Sequence, residues 1–222
     1  MPIQVQGPSG TAAQVEVNTQ AIRMRVSPVD VTSNGSFLTT AVSGTIAAAT
    51  FNSAACCFSA RNTSATIYMI LRRLAVGMNS LGTGYTAGVG RFDMYLARTF
   101  SGTDSGGTTL TLTGNNAKKK TGFATSILST QVFVSSTGVV TAGTRTLDTQ
   151  AQISLIYGVT ATTNSVMLAT TDMLPRDPGN NYPLTIAQNE GIVLNATLPA
   201  TGTGNIFVTM EWDEVTASGS GF

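Results

Sequence analysis

The stretch YPLTIAQNEGIVLNATLPATGTGNIFVTMEWDEV, residues 182–215, holds three short extended segments separated by Asn-Glu-Gly and by Thr-Gly-Thr-Gly-Asn. In a strand, successive side chains point to opposite faces, so Ile206, Val208, Met210 and Trp212 fall on one face and Phe207, Thr209, Glu211 and Asp213 on the other. The preceding segment sorts the same way, with Ile192, Leu194, Ala196 and Leu198 set against Val193, Asn195 and Thr197. Gly191 is placed to supply the positive φ of a tight turn. The expectation is a strand meander with one buried face and Trp212 in the core.

Working outward, similar runs recur: AIRMRVSP at 21–28, GSFLTTAVSGTIAAAT at 35–50, AACCFSA at 54–60, ATIYMILRRLAVGMNS at 65–80, GVGRFDMYLARTF at 88–100, TTLTLTG at 108–114, TQVFVSS at 130–136, AQISLIYGV at 151–159 and SVMLATTD at 165–172. Spaced by Gly, Asn and Ser clusters, they predict an all-β chain, an antiparallel two-sheet sandwich of jelly-roll type. Helix competes only around Tyr68 to Met78. Read there as a strand, Thr66, Tyr68, Ile70, Arg72 and Leu74 share one face, while Ile67, Met69, Leu71, Arg73 and Val76 nearly fill the other. The arginines are expected at the rim. Two long loops, SGTDSGGT at 101–108 and GNNAKKKTG at 114–122, are expected in one hairpin region. The domain runs over 21–216. Before it, residues 1–20 read as an extended arm whose Ile3, Val5, Val15 and Val17 alternate as an added strand requires. Residues 217–222 read as a loose tail.

Composition narrows the function classes. Charged residues make up only 10 % of the 222, the net charge is +1, Gly occurs 23 times and Thr is the commonest residue. Such a weakly charged coat gives little long-range repulsion between copies, which suits self-assembly. No run reaches the length of a membrane span, and the N-terminal sequence lacks the basic start and apolar run of a secretory signal, so the expected compartment is the cytoplasm. Cys56 and Cys57 are adjacent, so in a strand they face opposite ways and are expected as buried thiols.

Histidine is absent, which removes Ser-His-Asp and Cys-His catalysis and imidazole-ligated zinc. Glu211 and Asp213 lie two apart on one strand face, roughly 6 to 7 Å apart by strand geometry, near the spacing of glycosidase carboxylates. A solvated strand end explains them equally well. Oxygen ligands for calcium could come from Asp177, Asn180 and Asn181, or from Asp104, but neither group has the dense carboxylate spacing of a dedicated loop. The reading is of no catalytic residue, no cofactor and no metal. The arm has no Lys or Arg before Arg23, and the one charge run, Lys118, Lys119 and Lys120, is too small for nucleic-acid packaging, although it could meet an acidic patch on a partner. No nucleic acid and no membrane are expected as partners.

The runs LTLTGNNAKKKTG, TAGTRTLDTQ and the closing PLTIAQNEGIVLNATLPATGTGNIFVTMEWDEV resemble a group of tailed-bacteriophage virion structural proteins, over about residues 22–215. That resemblance implies a small sandwich or jelly-roll protein of the virion, made in the host cytoplasm. It would act without enzymatic activity as a cement or decoration protein on the capsid exterior, with the major capsid protein as partner. A tail, adaptor or head-fibre subunit, or a receptor- or carbohydrate-binding module, is the alternative. A homo-oligomer is expected, a trimer ahead of a dimer. The contact residues expected are Ile3, Val5, Val15 and Val17 of the arm, with Asp104, Lys118, Lys119 and Lys120 of the loops.

Overall fold

The computed structural model describes residues 34–161, 163–174 and 184–216, which all belong to one unit spanning 31–222. The arm with Ile3, Val5, Val15 and Val17, the segment 21–28, the Asp177, Asn180 and Asn181 group and the tail 217–222 lie outside the described residues. Among the described residues thirteen strands follow in order: β1 (Gly35–Val42), β2 (Ile46–Ala47), β3 (Ala55–Asn62), β4 (Ile67–Ser80), β5 (Gly88–Arg98), β6 (Gly107–Thr109), β7 (Val132–Ser135), β8 (Thr146–Leu147), β9 (Ile153–Val159), β10 (Val166–Leu174), β11 (Leu184–Ile186), β12 (Glu190–Thr197) and β13 (Thr203–Thr216). Most coincide with the β-branched and aromatic runs, as burial on a pleated face favours. The run 35–50 is broken: β1 ends at Val42, and a short 3-10 turn over Ala48–Phe51 follows β2.

The strands form two antiparallel sheets. One has the order β1-β13-β4, with β10 and β11 sharing the far edge of β4 and β2 beside the start of β13. The other has the order β6-β7-β3-β12-β5, with β8 and β9 sharing the far edge of β5. Between them lies one core that includes Phe37, Phe58, Leu74, Phe92, Ile192, Leu194, Ile206, Val208, Met210 and Trp212. Trp212 is fully buried and stacks on Phe37 at 5.3 Å between ring centroids.

This topology corrects the expected meander. β12 pairs with β3 and β5, whereas β13 pairs with β1 and β4, so the two closing strands belong to opposite sheets. Strand β12 also buries both faces, because Val193 joins a second apolar cluster with Cys56, Ala97, Phe100, Phe133 and Val140 outside its sheet. Gly191 has no positive φ; that conformation falls on Asn189, at φ 57°. The glycine is needed for room, since a Cβ there would stand 2.3 Å from the Ala60 carbonyl oxygen and 2.8 Å from the Phe100 ring.

A second correction concerns β4. Glu211 pairs with Arg73 and Trp212 with Leu71, so Arg72 is an extra residue, a β-bulge. The bulge reverses the alternation, and Met69, Leu71, Leu74, Val76 and Met78 all reach the core. Leu74 therefore does not share the face of Ile70 and Arg72. A strict period of two could not place both Leu71 and Leu74 inward.

Candidate functional site

The bulge decides what the two candidate carboxylates can do. It frees Arg72 from the regular pleat, and its Nε lies 2.6 Å from Asp213 Oδ2. Glu211 is ion-paired to Lys119 from the loop 114–122. Both carboxylates are buried. Each is thus engaged by a cation of the same fold.

The next residue, Glu214, was missed by the sequence reading. It is fully buried on the Trp212 face and accepts hydrogen bonds from three donors: Ser126 Oγ at 2.6 Å, Trp212 Nε1 at 3.0 Å, and the Ile127 amide at 3.2 and 3.1 Å to its two oxygens. Burial pushes this carboxyl above its ordinary range, and the donors hold the rise in check. Continued alternation through Ile206, Val208, Met210 and Trp212 would have placed Glu214 inward. The signal was present in its parity.

These bonds also explain the lysine loop. The segment leading to Ser126 lies along the margin of β1: the Leu38 amide donates to the Ala117 carbonyl at 2.8 Å, the Lys119 amide to Ser36 at 3.0 Å and the Ala124 amide to Asn34 at 3.2 Å. An edge that would otherwise invite strand addition is covered by the chain itself. Lys119 is consumed by Glu211. Lys118 and Lys120, by contrast, have no ion-pair partner among the described residues.

Asp104 takes a different place from the one expected. It sits in the interior, ion-paired to Arg145, and also accepts from the Gly143 amide at 2.8 Å. The loop 101–108 packs against residues 141–144, through bonds such as Ser105 amide to Thr141 carbonyl at 3.0 Å. The two long loops therefore do not form one hairpin region: one covers the outer face of the β3-β12-β5 sheet and the other covers β1. Under the first loop, Phe100 carries two guanidinium groups, Arg145 at 5.1 Å and Arg61 at 5.6 Å from its ring centroid. Arg61 donates to Thr103 Oγ1 at 3.3 Å and to Asn189 Oδ1 at 3.2 Å. Asp104 is a latch inside the fold, each of its oxygens engaged by one donor, the Gly143 amide and Arg145.

The two thiols face opposite ways as expected, Cys57 in the central core and Cys56 in the outer cluster. Both are free and buried. Burial raises the Cys56 pKa to about 11, Arg145 opposing, and pushes Cys57 well above its ordinary value. Neither is a thiolate near neutral pH. Among the described residues no cluster of three His, Cys, Asp or Glu could hold a metal ion, and no helix is long and apolar enough to cross a membrane. No protein-family model matches the chain, and no curated protein matches its sequence.

Proposed function

We propose that the chain is a jelly-roll structural protein of a tailed-phage virion, a cement or decoration protein that binds the capsid exterior. The jelly-roll reading rests on strand order. Taking β1, β3, β4, β5, β9, β10, β12 and β13 as the eight principal strands, one sheet holds the first, eighth, third and sixth, and the other the second, seventh, fourth and fifth. Such interleaving is two Greek keys folded together, an architecture used by capsid and lectin domains. Fold alone does not assign function.

The observation that carries the functional reading is the fate of the charged groups. Every described carboxylate except Glu214 sits in an ion pair, and Glu214 is held by three hydrogen-bond donors. These groups are spent inside the fold: Arg72–Asp213, Arg73–Asp172 and Arg98–Glu190 tie strand to strand, and Lys119–Glu211 and Arg98–Asp148 tie loops to strands. What remains for the outside is a Thr- and Gly-rich surface with Lys118 and Lys120 on one loop, suited to close packing without the desolvation cost of buried charge. An interface of ordinary size, roughly 1,600 Å² in total, repeated over a shell would resist internal pressure by many small increments. The arm, with Ile3, Val5, Val15 and Val17, acts as a strap to a neighbouring subunit, and the loop lysines meet an acidic patch of the major capsid protein.

Cryo-electron microscopy of the virion that carries this chain tests the proposal: density for the sandwich is expected on the outer capsid surface. Density confined to the tail or neck would overturn the capsid assignment. Purified protein lacking residues 2–18 should decorate stripped particles at reduced occupancy and restore less heat resistance. Full occupancy and protection would refute the strap and leave the Lys118 to Lys120 loop as the adhesive element.

A further inference from the structure

We propose that the margin of the sandwich at strand β9, which no described strand covers, pairs edge to edge with β9 of a second copy of this chain. The fold treats its two margins differently. At one, residues 117–124 bond along β1 and close it. At the other, among the described residues, β9 pairs only with β5 and no strand continues the sheet beyond it. Alternate residues of such an edge present unpaired N–H and C=O groups outward, a template for another strand.

Side chains on this margin identify the occupant. Val89 on β5 and Ile156 on β9 are each 65 % exposed, and Val166, at the start of β10 in the facing sheet, is 72 % exposed; these are the three most exposed large apolar residues among those described. Val89 pairs with Gly158 and Arg91 with Ile156, so Val89 and Ile156 are diagonal neighbours on the outer face. Strand β9, ISLIYGV, contains no Lys, Arg, Asp, Glu or Pro, the usual protection of an exposed edge. The charges beside it cancel each other: Arg91 Nε lies 2.7 Å from Asp93 Oδ2, and Ser154 Oγ donates to Asp93 Oδ1 at 2.5 Å. A basic or acidic partner would find nothing to complement. A second copy brings the same neutral, apolar strip, which an antiparallel twofold makes self-complementary. The strand is held firmly for this use, because Gly90 leaves the space into which the Tyr157 ring packs; a Cβ at Gly90 would stand 2.3 Å from that ring. Tyr157 also stacks on Phe92 at 5.6 Å.

The inference deepens the structural role proposed above but is tested apart from it, by sedimentation equilibrium of the full chain. Wild-type protein should form dimers at micromolar concentration, and Ile156→Lys, placing a charge at an already exposed position, should weaken dimerisation by at least about tenfold, with an unchanged thermal midpoint at dilutions where both proteins are monomeric. Val89→Lys is the second variant, expected to act the same way, and Lys118→Ala with Lys120→Ala should leave dimers intact. A monomeric wild type at about 100 µM, far above the micromolar affinities of weak specific pairs, would overturn the pairing. So would dimers indifferent to both edge variants, or dimers lost on deleting residues 2–18 or on removing the loop lysines. Dimers that fail to bind capsids would count against the capsid reading alone, and monomers that bind them against the edge pairing alone.

Discussion

Replacing Glu214 with Leu tests the internal economy of this fold most directly. The side chain is fully buried, and its loss strands three donors: the Ser126 hydroxyl, the Trp212 indole N–H and the Ile127 amide. Each buried donor left without an acceptor costs about 1 to 3 kcal/mol. The hydroxyl can rotate toward another acceptor, so two donors count in full and give about 2 to 6 kcal/mol. Relief of the buried charge returns part of this, and a net loss of about 3 kcal/mol is expected, in line with removing one member of a buried polar network. Urea unfolding followed by fluorescence is the assay, because Trp212 is the one tryptophan and donates to the deleted group. The pH dependence carries an independent sign. Burial raises the folded-state pKa of Glu214, so its contribution to stability is full below the unfolded-state pKa and is lost as pH rises through the folded value. The wild-type advantage over the Leu variant should therefore shrink as pH rises from about 4.3, the ordinary Glu value, through the raised one. A variant within about 1 kcal/mol of wild type, the size of one ordinary hydrogen bond, with no change in indole emission would refute the network's role.

Three further substitutions follow from the geometry. Trp212→Ala should cost about 3 to 5 kcal/mol by cavity formation, measured by chemical denaturation, with loss of the stacking on Phe37 included in that figure. Gly191→Ala should cost about 1 to 3 kcal/mol as an overpacking change, because its Cβ would meet the Ala60 carbonyl and the Phe100 ring; an unchanged melting temperature would show that the outer loop yields freely. Arg145→Met should destabilise by about 3 to 5 kcal/mol through the buried, unpaired Asp104, and Asp104→Asn added to it should recover a measurable part of the loss.

The strands were legible because their apolar residues alternate, and Ile206, Val208, Met210 and Trp212 reach the core as their spacing requires. Sheet membership was not legible. Residues 198–202 look like a hairpin connection, yet they carry the chain from one sheet to the other, since β12 and β13 each find better partners among strands distant in sequence. Local spacing says nothing about such long-range pairing. The bulge at Arg72 was hidden for a related reason: an inserted residue changes the register against β13, which is visible only once the partner is known. Asp104 and Arg145 lie far apart in sequence, and neither announces the other. Glu214 differs from these cases, because its inward parity was readable from the alternation and only the habit of assigning glutamate to solvent concealed it.

The pairing of charges inside the fold bears on how copies meet. A chain with 12 basic and 11 acidic residues has few charges to begin with, and the described carboxylates are tied to Arg72, Arg73, Arg91, Arg98, Lys119 and Arg145, or to the donors around Glu214. Arg98, for example, bridges Asp148 and Glu190 at 3.3 and 2.5 Å and so joins β5 to β12 and to the loop after β8. Little field is left to steer one copy toward another or to hold it away. In the edge pairing proposed above, contacts between copies come from backbone edges and from exposed apolar residues such as Val89 and Ile156. Salt screens exposed charges strongly above about 0.1 M, where the Debye length is about 10 Å, whereas hydrogen bonds along an edge and buried apolar area respond weakly. Self-association should therefore change little between about 0.05 and 0.5 M salt, while binding through Lys118 and Lys120 to an acidic surface should weaken steeply over that range. Two titrations of one protein, against itself and against the capsid proposed as its partner, would separate the proposed edge pairing from the charged loop.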